Sequence, residues 1–234
     1  HGNVQRGDSL IRTSQWHMTR VVDASLKILD QLDHVVSRRG AHVAYLGTGE
    51  YSIQMRILGP TSLEPGQEGY VRLFLPRPLP LLPGDRFVLR ESGRLETLGG
   101  GSILDVDPRV QASRARPDRS IDRVIRERGW IDANELERLT GEHRVPNVSS
   151  WVVDPVALKE KLTTLHEKLD ATGPMGLALS VLDEQERAAM HLLKEATVQN
   201  GRLVIANLGD PLAGHPFISA LQANPFAPPE PKGI

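Results

Sequence analysis

The chain has 234 residues, 39 % hydrophobic and 24 % charged, with a formal net charge of −1. That is ordinary globular composition, long enough for one large domain or two to three small ones; near-zero charge excludes nonspecific coating of nucleic acid, so a polyanion site has to be a local patch. No apolar run approaches the roughly 20 residues of a membrane span; the absence of cysteine excludes thiol and disulfide chemistry and fits a reducing cytoplasm.

The first residues, NVQRGDSLIR, read as the end of a strand pair, and residues 1–12 are expected to finish a preceding β-barrel domain. From 20 to 106 the chain is strand-like, with VVDASLKIL, HVAYL, YSIQMRIL, GYVRLFL, RFVLR and SILDV separated by turn clusters such as GPTSLEPGQEG and LPLLPGDR. Ile53, Met55 and Ile57 alternate with Gln54 and Arg56, and Val71, Leu73 and Leu75 alternate with Tyr70, Arg72 and Phe74. Six short strands at this spacing predict a small antiparallel β-barrel over 13–108.

DPRVQASRARPDR then predicts a linker over 109–118. SIDRVIRERG predicts a short helix with Ser120 as N-cap and Gly129 past its end. Asp132 and Glu135 imitate a capping box for a second short helix that stops at Gly141, and Trp151-Val-Val closes this unit, 119–154, as a strand. Asp154-Pro155 opens a longer helix carrying Leu158, Leu162, Leu165 and Leu169, which GPMG interrupts. Asp183 and Glu186 open another helix, read as DEQERAAMHLLKEA, and Asn200-Gly201 between β-prone arms predicts a hairpin. Helices followed by a hairpin give winged-helix order, so 119–154 and 155–206 are expected as tandem winged-helix units. Residues 207–234, from HPFISALQ into a proline-rich end, are expected to start a third unit or a tail, and the whole to be a piece of a longer protein.

FVLRESGRLETLGGG invites a phosphate-loop reading, but a P-loop needs Gly-x4-Gly-Lys-Ser/Thr. Gly99, Gly100 and Gly101 run into Ser102-Ile103 with no lysine–hydroxyl pair, so a bulge or tight bend is expected there. G-x-S-x-G and H-E-x-x-H are absent, and the eight histidines are scattered; no catalytic, cofactor or metal residue is assigned. Glu91 and Glu96, flanked by Arg90 and Arg94, read as neutralised surface pairs. Between Arg109 and Arg128 seven arginines stand against three acids, which suits phosphate contact. The helix from Asp183 is acidic at its front, which opposes DNA reading.

RFVLRESGRLETLGGGSILD, NVQRGDSL, LGTGEYSIQMRILGP and RERGWIDANELERLTG together resemble one family, the selenocysteine-specific elongation factors (the SelB type), relatives of elongation factor Tu. The resemblance implies the end of the second domain, the third-domain barrel, and part of the winged-helix arm. It implies that Arg77, Arg90, Ser92, Arg94, His42 and Thr48 face selenocysteyl-tRNA. It also implies a ribosome partner, an mRNA hairpin gripped by further winged helices downstream, and a monomer in the cytoplasm with no membrane contact. The family's GTPase domain, with GTP and Mg²⁺, would lie upstream, so this portion carries no enzyme activity or cofactor of its own. The alternative from another class is a winged-helix DNA-binding transcription regulator with a β-barrel sensor domain. A complete enzyme would need a convergent polar site, for which there is no motif.

Overall fold

A computed structural model describes residues 6–12, 14–206 and 218. The chain divides into two compact units, His1–Asp154 and Pro155–Ile234. The third unit expected at 207–234 falls, but for Ile218, outside the described residues, as do the first five residues.

The first unit is built on six long strands: β1 (Met18–Ile28), β3 (His42–Leu46), β4 (Gly49–Leu58), β6 (Glu68–Pro80), β7 (Arg86–Glu91) and β8 (Glu96–Asp105). A short ribbon of β2 (Val36–Ser37) and β5 (Ser62–Leu63) stands apart. The long strands close in the antiparallel order β1-β6-β4-β3-β7-β8, with β1 returning to β8. All six strands read from the sequence are present. Closure leaves no edge strand open to pairing with another chain. The alternation holds too: Ile53, Met55, Ile57, Val71, Leu73 and Leu75 are buried while Gln54 and Phe74 are exposed. Each fully buried leucine or isoleucine here contributes about 1.5–3 kcal/mol.

Glycines 99–101 lie inside β8 rather than in a loop. The bulge falls one residue earlier: Leu89 pairs with Gly99 and Arg90 with Thr97, which leaves Leu98 as the extra residue, buried in the core. Residues 109–118 lie against the barrel. Ala112 and Ala115 pack with Leu58 in a small buried cluster, and Arg72, ion-paired to Asp23 at 2.7 Å, also donates to the Val110 carbonyl.

Two short helices follow. Helix α1 (Ile121–Arg128) is capped by the Ser120 hydroxyl and ends at Gly129, and α2 (Ala133–Thr140) is capped by Asp132 and ends at Gly141. Strand β9 (Trp130–Asp132) pairs with β10 (Trp151–Val153), with Trp130 and Trp151 edge to face at 6.2 Å. Ile121, Val124, Ile131, Leu136, Leu139 and Val152 belong to the same hydrophobic cluster as the barrel interior. The helical segment is therefore part of one core with the barrel.

The second unit runs α3 (Pro155–Thr172), β11 (Leu177–Ala178), α4 (Glu184–Ala189), β12 (Ala196–Gln199) and β13 (Arg202–Ile205). Its sheet order is β11-β13-β12, so the first strand pairs with the last. Leu165 and Leu169 of the predicted stripe are fully buried with Leu182, Leu193 and Leu203. Asp183 and Glu186 form a complete capping box at α4, and Asn200 and Gly201, both at positive φ, turn the hairpin. Helix α4 is shorter than DEQERAAMHLLKEA implied: after Ala189 the chain tightens into a 3₁₀ turn, Met190–Leu192. Leu193 then accounts for the stop, because it leaves helical geometry with its side chain in the core.

Candidate nucleic-acid interface

The structure does not bring the six expected RNA-facing residues to one place. Antiparallel pairing sets His42 opposite Glu91 at one end of the β3–β7 ribbon and Leu46 opposite Phe87 at the other. Arg90, Ser92 and Arg94 surround the β7–β8 turn at the first end. Thr48 lies exposed in the tight β3–β4 turn at the second. Arg77 stands near that second end, over the Tyr51 ring at 5.6 Å.

Arg94 is the freest cation of the first group, half exposed, with Asp33 and Glu91 at 3.9 and 3.8 Å. Those separations are at the weak limit of ion pairing in water, so the guanidinium remains available to a phosphate. The expected pairing of Glu91 with Arg94 is present. Arg90 donates to the Leu95 carbonyl at 2.7 Å and lies over Tyr45 at 6.0 Å, which fixes its direction. Ser92 has no positive φ, and its N–H is committed to the Ala41 carbonyl at 2.8 Å. Its backbone donor is therefore unavailable to a ligand; the hydroxyl is what it offers.

Two expectations need correction. His42 is 3 % exposed, so its ring cannot reach an RNA surface; β3 carries it beneath the rim beside Gly40 and Glu91. Burial pulls the His42 pKa below 6.5, with the Glu91 charge opposing. A depressed folded-state pKa means that the unfolded chain takes the proton first. The stability tied to neutral His42 is complete above pH 6.5 and drains as pH falls from there toward the folded value. Urea titrations across that interval should show a steeper loss for the natural chain than for His42→Gln. Parallel curves would remove this role.

The arginine excess at 109–128 is the second. Arg123 is buried and donates to Asp105 at 2.9 Å, Glu127 at 2.8 Å and Asp118 at 2.9 Å. Arg128 and Arg109 both pair with Asp107. Three of the seven are thus neutralised within the fold, and the local excess is smaller than the count of letters suggests.

Arg77 has a structural partner as well. It and the Tyr51 hydroxyl both donate to the Gly7 carbonyl at 3.0 Å, and Asp8 lies 3.5 Å from its guanidinium. It pins residues preceding the barrel. Sequence reading missed two outward cations, Lys27 and Arg86, although the alternation of Arg86, Val88 and Arg90 in RFVLR carries the signal. Among the described residues no group of three or more acids or histidines could hold a metal ion, and no helix is long and apolar enough to cross a membrane.

Comparison with known proteins gives this surface its context. Residues 22–110 match the family model for the β-barrel domain of the selenocysteine-specific elongation factor. A selenocysteine-specific elongation factor of Desulfomicrobium baculatum is 28 % identical over 102 residues, covering 44 % of this chain and 16 % of that protein. The crystal structure of a bacterial selenocysteine-specific elongation factor shares the fold, with a TM-score of 0.58 at 13 % identity over 90 % of this chain and 38 % of that one. The matched stretch thus spans well under half of either relative. The barrel carries the register, the turn and the family match together: residues 22–110 are similar to the β-barrel domain of selenocysteine-specific elongation factors.

Proposed function

We propose that the chain is the central portion of a selenocysteine-specific translation elongation factor working in the cytoplasm. In this reading the barrel contacts selenocysteyl-tRNA, and the helical units link it toward the part that holds the selenoprotein mRNA hairpin during incorporation at UGA on the ribosome. GTP and Mg²⁺ binding and GTP hydrolysis belong to the remainder of the factor. The observation that carries the reading is the family match across the barrel, joined to a half-exposed Arg94 at the β7–β8 turn.

The second unit is read as a winged helix. Helix, strand, helix and hairpin follow in that order, with β11 paired to β13 so that β12 and β13 form the wing. A DNA-reading regulator is not favoured. Helix α4 has six residues, Asp183 and Glu184 stand at its front, and Asp183 is paired with Lys161 at 3.2 Å. A groove-reading helix needs donors toward phosphate there, and these are acceptors.

Arg94→Ala in the full-length factor should weaken selenocysteyl-tRNA binding and lower the slope of log affinity against log salt by about 1, the share of a single phosphate contact. Unchanged affinity with an unchanged slope would refute the contact. Arg77→Ala should act differently, by loosening residues 6–12, and leave the slope as it is.

A further inference from the structure

We propose that the outer face of β1, β8, β7 and β3 is a second RNA site, one that takes a single unpaired strand. It rests on the reading above in taking RNA as the partner, and of the residues expected to face RNA it shares only Arg90.

Register alone lays the site out. Lys27 pairs with Gly100, Gly100 with Val88 and Val88 with Tyr45, which forms one outward row. Ser25, Ser102 and Arg86 form the next, with the two serine hydroxyls 3.2 Å apart. The middle of the face is a trough of about 620 Å³ whose lining includes Ser25, Tyr45, Arg86, Val88, Gly101 and Ser102. Val88 is 45 % exposed within it.

The charge on this face is unbalanced. Lys27 and Arg86 are exposed and have no ion-pair partner among the described residues. Arg90 adds a third cation over the Tyr45 ring, against two acids at the margins: Glu50, opposite Tyr45, and Glu68, opposite Lys27 on β6. The complement is an anion. An extended acidic peptide would fit poorly, because the backbone beneath the trough is consumed by ladders on both sides and offers no edge for strand addition. A duplex would present phosphates to the cations but leave Val88 and Tyr45 without a base to cover them. Neighbouring strands are about 4.8 Å apart, so Lys27 stands roughly 10 Å from the Val88 strand. An unpaired nucleotide can rest its base on Val88 and Tyr45 with phosphates toward Lys27 and Arg86. Cationic groove plus aromatic platform is how unpaired strands are held without sequence reading.

Fluorescence anisotropy of a labelled oligouridylate with the whole chain tests this. The natural chain should bind with a marked salt dependence. Tyr45→Ala should weaken binding about tenfold, and Lys27→Ala with Arg86→Ala should lower the salt slope by about 1.4. The last two side chains are exposed, so that pair decides the matter should Tyr45→Ala loosen the barrel. Arg94→Ala should leave oligouridylate binding unchanged while weakening selenocysteyl-tRNA, so the two readings fail separately. No binding of oligouridylate, or variants that bind like the natural chain, overturns the proposal. So does equal competition by duplex RNA or by polyglutamate, which would point to a phosphate patch or an acidic protein partner.

Discussion

Gly101→Ala should lower the thermal midpoint of residues 1–154 by about 10 °C, whereas Gly93→Ala should leave it nearly unchanged. A Cβ on Gly101 would stand 2.6 Å from the carbonyl carbon of Ser25 and closer still to its oxygen; one on Gly99 would stand 3.0 Å from the carbonyl carbon of Lys27 and again closer to the oxygen. Both obstacles are backbone of β1, which cannot rotate aside as a side chain would. Those same residues hold the pairs Lys27 with Gly100 and Ile28 with Gly99 that close the ring. Relief therefore requires opening the β1–β8 seam. That places the cost at or above the upper end of overpacking, about 3 kcal/mol, and each kcal/mol moves the midpoint of a unit this size by about 2–4 °C. Gly93 has nothing within 4 Å of the same position and no positive φ, so it is the matched control. Equal midpoints for the two variants would show that the glycines are not required for closure.

Arg123→Ala should be comparably damaging, by about 3–5 kcal/mol, because it leaves a buried carboxylate without its cation. Asp105, whose side chain is 5 % exposed on β8, faces the 10 % exposed guanidinium of α1 at 2.9 Å, and Asp118 and Glu127 complete the set. Burial pulls the Arg123 pKa down, but the hydrogen bonds and charges of Glu127 and Asp105 outweigh it and raise it above its ordinary value. The group stays charged at every working pH. Its loss is thus a loss of charge balance, and this can be separated from a loss of packing. Arg123→Met combined with Asp105→Asn removes both charges and keeps an acceptor for the Asp107 N–H, which Asp105 takes at 2.9 Å. Calorimetry should find the pair of changes less costly than Arg123→Met alone. If the double variant is as unstable as the single one, the network acts through shape and not through charge.

The barrel and its caps were legible because their signals are short-range. Period-two alternation at 53–57 and 71–75, the Ser120 and Asp183 caps, and the Asn200-Gly201 turn each depend on residues within one or two turns of chain. The candidate site was legible only in part. Arg90, Arg94 and Thr48 reach the surface, but His42 does not. HVAYL has no alternation to show which face is covered, and β7 and the chain near Gly40 close over the ring from distant sequence.

Arginines show the division most clearly. In PDRSIDRVIRERG, Arg119, Arg123, Arg126 and Arg128 look alike as letters, yet Arg123 is spent on Asp105, 18 positions away, and Arg128 on Asp107, 21 positions away. Arg77 is likewise spent on Gly7, 70 positions away. By itself, the sequence determined strands, helix ends and turns, since backbone preference and side-chain period are local properties. Only the tertiary structure decided which cations remain free for a partner. Neutralisation is a pairwise property of groups that the fold brings together, and the chain order does not carry it.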